Sequence, residues 1–265
     1  MKTGMIGLGA MGLGMARRVA SAGYLTAVYN RTASKAQDLA EELKVTACLQ
    51  PEDLAALVDL VLICVSADED VLEMITAISK SIKPGSIVVD MSTVSSDTAK
   101  KAATMLAEKQ VAFLDAPVSG GVEGAKNGSL SMMVGGDADV LEQARPVLAS
   151  MTTRITHMGA TGSGQATKAV NQIIVAGINQ AVTEALAFAQ AHSLPMDKVI
   201  DVISAGAAGN WFLQHRGLTM TNGTFTPGFK VALHHKDLKI CQAMADQVKV
   251  PIPLSVGQQP NRCAE

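Results

Sequence analysis

The chain has 265 residues, 48% of them hydrophobic and 17% charged, with a formal net charge of −2. These values bound a soluble globular protein of one large or two modest domains with ample core. The slightly negative balance argues against nucleic acid as the main partner, since that role demands a basic surface. Four cysteines (Cys48, Cys64, Cys241 and Cys263) are scattered without a CxxC pair, the usage of reduced thiols in a cytoplasmic protein rather than of a disulfide frame or zinc site. His234 and His235 are adjacent, point apart on a helix, and give no reason to expect a metal. The start, MKTGMIGLGAMG, is broken by glycines too early for a signal-peptide core.

In chain order, Thr3–Ile6 reads as a short buried strand, followed by GLGAMG with Gly7, Gly9 and Gly12 at G-x-G-x-x-G spacing. A helix over about Met11–Ala22 ends at Gly23, and Tyr24–Tyr29 is a second strand. This is the strand–helix–strand context that a dinucleotide loop requires. Gly7 permits the turn, Gly9 lets a pyrophosphate approach the backbone, and Gly12 lets helix and strand pack. Leu8, Ala10 and Met11 complete the loop, whose helix N-terminus offers N–H groups to phosphate. Where an NAD site carries an acid for the ribose hydroxyls, this chain has Asn30-Arg31-Thr32. Arg31 can grip a 2′-phosphate bidentately, and Asn30 and Thr32 can donate to it. The expected cofactor is therefore NADP(H) in preference to NAD(H).

The alternation continues: helices over Ser34–Leu43 and Pro51–Val58, a continuous apolar strand over Asp59–Val65, and a helix over Asp68–Ser79. A strand over Ile87–Asp90 follows, then DMSTVSS, with Ser95 or Ser96 as N-cap of the next helix. Val111–Asp115 is a strand, Pro117–Leu130 a glycine-rich connection, Leu130–Val134 a strand, Ala138–Ala149 a helix and Arg154–His157 a last strand. Strands alternating with helices over about 160 residues predict a doubly wound α/β sheet, with ligands at the carboxyl ends of its strands. Val65-Ser66, Ser92-Thr93 and Pro117–Gly121 fall there.

From Gly162 the pattern changes. The stretch GSGQATKAVNQIIVAGINQAVTEALAFAQAH is proline-free to Pro195 and helical in period, long enough for about 27 helical residues spanning roughly 40 Å. Its five polar residues from Asn171 to Glu184 argue against a membrane span. Lys168 and Glu184 are the only charges between Gln165 and Ala191. A desolvated lysine loses basicity and can exchange a proton near neutrality; equally, a lysine at a helix start can snorkel to water. Asn171 and Gln172 share its face. Beyond Pro195 the chain reads as all helical, over Met196–Ile203, over AGAAGNWFLQHRG (Ala205–Gly217), and over Ala232–Val248.

GLGAMG at Gly7–Gly12, DAPVSGG at Asp115–Gly121, GSGQATK at Gly162–Lys168 and HHKDL at His234–Leu238 together resemble the β-hydroxyacid dehydrogenases. That family includes 3-hydroxyisobutyrate dehydrogenases, tartronate semialdehyde reductases and glyoxylate/succinic semialdehyde reductases. The resemblance runs from residue 1 to about Leu254. It implies a Rossmann-type NADP-binding domain over residues 1–161, and an all-α substrate and dimerisation domain over residues 162–265 joined to it by the long helix. It implies that Lys168 is the catalytic acid/base and that Ser119, Gly120 and Gly121 bind the substrate carboxylate. The resemblance further implies that Thr93 lies near nicotinamide and substrate and that Lys236 and Asp237 close the site, Asp237 being otherwise a structural partner of Lys236. Val65 and Ser66 are expected to touch the cofactor.

The implied reaction is hydride transfer between nicotinamide and a small semialdehyde or β-hydroxy acid, in a homodimer or homotetramer. A non-catalytic NADP-binding module and an imine reductase are the competing readings; Lys168 argues against both. Substrate cues conflict. The Asn171-Gln172 order resembles the tartronate semialdehyde reductases, whereas Asn30-Arg31-Thr32 with Phe229 resembles the glyoxylate/succinic semialdehyde reductases. Trp211, Phe212 and Phe229 are candidates to limit the substrate's length. The polar tail after Leu254 departs from the family pattern, as an altered or truncated end would.

Overall fold

The computed structural model describes residues 1–224 and 230–254. Two compact units divide the chain, one over Met1–Ala169 and a second beginning at Val170. Phe229 and the tail beyond Leu254 lie outside the described residues.

The first unit holds a 9-stranded sheet: β1 (Thr3–Ile6), β2 (Leu25–Tyr29), β3 (Thr46–Ala47), β4 (Leu60–Ile63), β5 (Ile87–Asp90), β6 (Ala112–Asp115), β7 (Val118–Ser119), β8 (Leu130–Gly135) and β9 (Thr152–Gly159). The order is β3-β2-β1-β4-β5-β6-β8-β7, with β9 beside β8. The strands from β3 across to β6 are parallel, β8 runs antiparallel to β6 and β7, and β9 is parallel to β8. The strand order reverses between β1 and β4, which opens a crevice outside their carboxyl ends.

Helices α1 (Ala10–Ser21), α2 (Ala33–Leu43), α3 (Pro51–Leu57), α4 (Asp68–Ile78), α5 (Ser96–Ala107), α6 (Gly121–Asn127) and α7 (Ala138–Leu148) belong to this unit. The apolar run of β4 shows why both sheet faces are covered. Successive strand side chains point to opposite faces. Leu60 and Leu62 accordingly join a core with Met5, Val28 and Val89, while Val61 and Ile63 join another with Ile6, Ala27 and Val88. Each such side chain contributes about 1.5–3 kcal/mol over its exposed state.

The expected strands and helices are present, most with ends shifted by a residue or two, and Ser95 rather than Ser96 is the N-cap, accepting from the Thr98 N–H. The helix expected over Ala205–Gly217 instead runs over Trp211–Thr221, because the Asn210 side chain caps it by accepting from the Leu213 N–H. Three short elements were not expected: β3, β7 and α6. β7 has only Val118 and Ser119, opposite Met132 and Ser131. Two residues carry no periodicity, so partner-strand hydrogen bonds define it. β9 outruns the expected Arg154–His157 because it pairs along β8 from Leu130 to Gly135.

Helix α8 (Ser163–Ala191) is 29 residues long; it starts in the first unit and supplies the second. There Val182 and Leu186 pack with Ile200 of α9 (Met196–Ser204) and Leu213 of α10 (Trp211–Thr221). Gly217 on α10 permits that approach, because a Cβ there would come 3.0 Å from Ile200 Cδ1. α11 (Val231–Val248) completes the described helices.

Candidate active site

The glycine loop follows directly from β1. Gly7 has φ +92°, and a Cβ on it would overlap the Cys64 carbonyl oxygen. A Cβ on Gly12 would overlap the Gly7 carbonyl oxygen. Both glycines are therefore required by the protein itself. Gly9 is different: its φ is −72°, and nothing lies within 4 Å of a Cβ built there. Neither backbone nor packing explains a glycine at that position, but a ligand seated against it would. Gly9 is the N-cap of α1, whose first turn carries no acid, so its N–H groups and helix dipole favour phosphate. The loop thus fits a dinucleotide. Leu8 is buried, Met11 half-buried and Ala10 exposed. A cavity of about 370 Å³ borders Gly9 and Ala10 and runs between α1 and α2, past Lys35.

At the end of β2 the geometry gives Asn30 a structural part as well. Asn30 Oδ1 accepts from the Leu8 N–H at 2.9 Å, and its Nδ2 donates to the Thr32 carbonyl at 3.1 Å. Both ends of the amide brace the loop, so Asn30 holds the glycine turn in place with its oxygen and one of its two Nδ2 hydrogens. The Arg31 side chain is 80% exposed, with Nη1 3.3 Å from Asp70 Oδ1. Thr32 is the N-cap residue of α2 but makes no side-chain cap, and α2 has no acid in its first turn. Lys35 lies in that turn, where its N–H donates to the Thr32 carbonyl at 3.1 Å.

The carboxyl ends of β4, β5 and β6 carry the next group. The Val65 N–H donates to Ser92 Oγ at 2.9 Å; Ser66 beside it is exposed and Thr93 half-buried. Asp90 is fully buried, accepts from the Ser92 N–H at 3.0 Å through Oδ1, and its Oδ2 has no hydrogen-bond partner among the described residues. Burial raises its pKa to about 6; bonds from Ser92 oppose the rise, and the Asp115 and Asp68 carboxylates add to it.

Asp115, opposite Asp90 on β6, was not singled out by the sequence. Its carboxylate accepts from the Gly162 N–H at 2.7 Å and the Gln165 N–H at 2.9 Å, at the start of α8. Burial pushes its pKa up, and these backbone donors act against that. One turn further on is Lys168, only 8% exposed. Ser119 ends β7, and Gly120 and Gly121 follow with φ +131° and +63°. Nothing lies within 4 Å of a Cβ at Gly121, the same open flank as at Gly9.

In the second unit, Asn171 Nδ2 donates to Gln172 Oε1 at 2.7 Å, and Gln172 Nε2 donates to Asp237 Oδ2 at 2.6 Å. Lys236 Nζ is 3.1 Å from Asp237 Oδ1. Asn171, Gln172, Lys236 and Asp237 therefore form one connected chain. Of the aromatic candidates, Phe212 packs against the core of this unit. Trp211 is 58% exposed, stacks on His215 at 4.5 Å and lies under Arg216.

A doubly wound sheet with a phosphate-accepting glycine loop, followed by a helical unit entered through a lysine-bearing helix, defines a nicotinamide-dependent oxidoreductase of two-domain build. Two family models cover the chain: the NAD binding domain of 6-phosphogluconate dehydrogenase matches residues 2–159, and the NAD-binding domain of NADP-dependent 3-hydroxyisobutyrate dehydrogenase matches residues 162–260. The second match extends beyond Leu254, where the sequence reading placed the end of the resemblance.

An uncharacterized oxidoreductase of Shewanella frigidimarina is 38% identical, covering 97% of this chain and 90% of the relative. The 2-hydroxy-3-oxopropionate reductase of Escherichia coli is 36% identical over 100% of this chain and 91% of its own length. The solved 3-hydroxyisobutyrate dehydrogenase of Mycobacterium tuberculosis with L-serine superposes with TM-score 0.87 at 30% identity, covering 97% of this chain and 90% of that one. The chain belongs to the β-hydroxyacid dehydrogenase family, and it is an NAD(P)-dependent hydroxyacid dehydrogenase.

Proposed function

We propose that this enzyme interconverts a small semialdehyde or α-oxo acid with the corresponding hydroxy acid, with NADP(H) preferred over NAD(H) and Lys168 as the catalytic acid/base. The substrate class is the one that the sequence resemblance implies: 3-hydroxyisobutyrate, tartronate semialdehyde, glyoxylate or succinic semialdehyde. The observation that carries the reading is Lys168, a lysine 8% exposed at the start of a helix whose first turn is anchored by a buried carboxylate. A side chain so little exposed supports an acid/base over a lysine that snorkels to water.

The bound nicotinamide supplies or accepts the hydride. The Gly7–Gly12 loop and the N-terminus of α1 receive the pyrophosphate. Asn30, Arg31, Thr32 and the first turn of α2, which carries Lys35, receive the 2′-phosphate. The backbone at Ser119, Gly120 and Gly121 receives the substrate carboxylate without adding a cation. Lys168 stabilises the charge growing on the carbonyl oxygen and gives it a proton; in oxidation it takes that proton back. We assign Thr93 to the nicotinamide and substrate, and Asn171, Gln172, Lys236 and Asp237 to substrate orientation and, for Lys236, to the cofactor as well. The division into residues 1–161 and 162–265, a cytoplasmic location and a homodimer or homotetramer belong to the same reading.

The test is NADPH oxidation with glyoxylate, succinic semialdehyde, tartronate semialdehyde and methylmalonate semialdehyde, repeated with Lys168→Met. That substitution keeps bulk and helix propensity. Turnover reduced by at least about a hundredfold with NADPH affinity intact supports the reading. Near wild-type turnover by Lys168→Met refutes it.

A further inference from the structure

We propose that Gln165 is a positioning residue that locks the Ser92–Val94 segment to the helical turn bearing Lys168; this rests on the reading of Lys168 as acid/base. The Gln165 side chain is 1% exposed. Its Oε1 accepts from the Val94 N–H at 3.2 Å, and its Nε2 donates to the Ser92 carbonyl at 2.8 Å. Those groups belong to the two peptide units flanking Thr93, so one carboxamide holds Thr93 from both sides. The arrangement fixes the amide's orientation, since only this way round do donor and acceptor both match.

The backbone of Gln165 is held as firmly. Its N–H donates to Asp115 Oδ2, beside the Gly162 N–H on Oδ1. A Cβ on the intervening Gly164 would overlap the carbonyl oxygens of Asp115 and Met133, so the helix start lies directly on the ends of β6 and β8. Residues i and i+3 share a helix face, which places Lys168 over Gln165. A buried side chain that makes two backbone hydrogen bonds costs conformational entropy and cannot be replaced by an apolar residue without leaving a donor and an acceptor unpaired. Helix capping does not need it, because Asp115 already caps. Its separate effect is to couple Thr93, after β5, to Lys168 on α8.

The test uses the full chain with two substitutions, Gln165→Met and Gln165→Glu. Gln165→Met keeps length and removes both bonds. Displacements of about 1 Å at a reacting centre cost up to about a hundredfold; kcat with NADPH and tartronate semialdehyde should fall about ten- to a hundredfold, with NADPH affinity nearly unchanged. Hydrogen exchange at the Val94 amide, which needs no substrate, should accelerate.

Gln165→Glu supplies a conditional rescue. Its protonated carboxyl is isosteric with the amide, accepting from Val94 N–H and donating to the Ser92 carbonyl. Once ionised, it can no longer donate and sets a negative charge against that carbonyl. Val94 protection should therefore approach wild type at pH 6 and fall by pH 9, a step that neither wild type nor Gln165→Met shows, and kcat taken relative to wild type at each pH should fall with it. An unchanged Val94 exchange rate in Gln165→Met, or a Gln165→Glu variant whose Val94 protection follows wild type across pH, overturns the clamp. Wild-type kcat in Gln165→Met beside an inactive Lys168→Met overturns its link to catalysis alone. An active Lys168→Met overturns the reading on which that link rests.

Discussion

The Gln172 carboxamide donates to Asp237 Oδ2 at 2.6 Å, joining α8 to α11 across 65 residues of sequence. Asp237 also faces Lys236 through Oδ1, and it is 4% exposed. An amide and an ammonium thus share one buried carboxylate. Hydrogen bonds to charged groups contribute about 1.5–3 kcal/mol, and stranding a buried donor costs about 1–3 kcal/mol. Asp237→Leu should accordingly lower stability by about 2 kcal/mol or more, read as a drop in Tm of several degrees. Asp237→Asn keeps an acceptor for Gln172 and should lose less, because the partly exposed Lys236 ammonium can turn to water. Equal losses in both variants would show that the Gln172 bond is not what stabilises the pair.

The glycine loop separates structural from ligand-imposed constraint. Gly12→Ala drives a Cβ into the Gly7 carbonyl oxygen and should lower both Tm and cofactor affinity. Gly9→Ala meets nothing within 4 Å and has a φ that alanine adopts freely. Its stability should stay within about 1 kcal/mol of wild type, while the new methyl overpacks the pyrophosphate by about 1–3 kcal/mol. NADPH affinity, followed by fluorescence titration, should fall about ten- to a hundredfold. Unchanged affinity would place the pyrophosphate elsewhere.

Arg31 is expected to carry cofactor discrimination. Its contact with Asp70 is a surface pair at 3.3 Å with the arginine 80% exposed, worth about 0–1 kcal/mol. A 2′-phosphate offers a charge-assisted bond worth about 1.5–3 kcal/mol, so the phosphate wins. Arg31 should favour NADPH over NADH about ten- to a hundredfold, and Arg31→Ala should raise KM for NADPH far more than for NADH. Equal effects on both cofactors would remove Arg31 from the 2′-phosphate.

Asp90 should impose a pH dependence on stability. Burial raises its carboxyl from the ordinary 3.8 to about 6, so between those values the folded chain binds more protons than the unfolded one. Its contribution is fully present below about pH 4 and is lost as pH rises through about 6, a difference of about 3 kcal/mol. Asp90→Asn keeps the acceptor for the Ser92 N–H and removes the ionisation. Urea denaturation at pH 4 and pH 7.5 should show the variant gaining on wild type by up to about 3 kcal/mol at the higher pH. A constant difference between the two pH values would mean that Asp90 titrates normally.

What the sequence by itself determined was local. The spacing of Gly7, Gly9 and Gly12 between two apolar strands, the alternation that splits Leu60–Ile63 between two faces, and the proline-free period of α8 are patterns within a few turns of chain, and the sheet and long helix formed where those patterns lay. Only the tertiary structure decided what long-range partners a polar side chain would take. Asn30 reads as a phosphate donor, and nothing near it in sequence shows that its oxygen also holds the N–H of Leu8, 22 residues away. Asp115 reads as the end of a strand until it caps a helix 50 residues on, and Gln165 as one more residue of the long helix until it meets Val94, 71 residues back. Backbone periodicity is written in neighbouring residues, whereas a buried carboxamide or carboxylate takes whatever donor and acceptor the packed sheet brings to it.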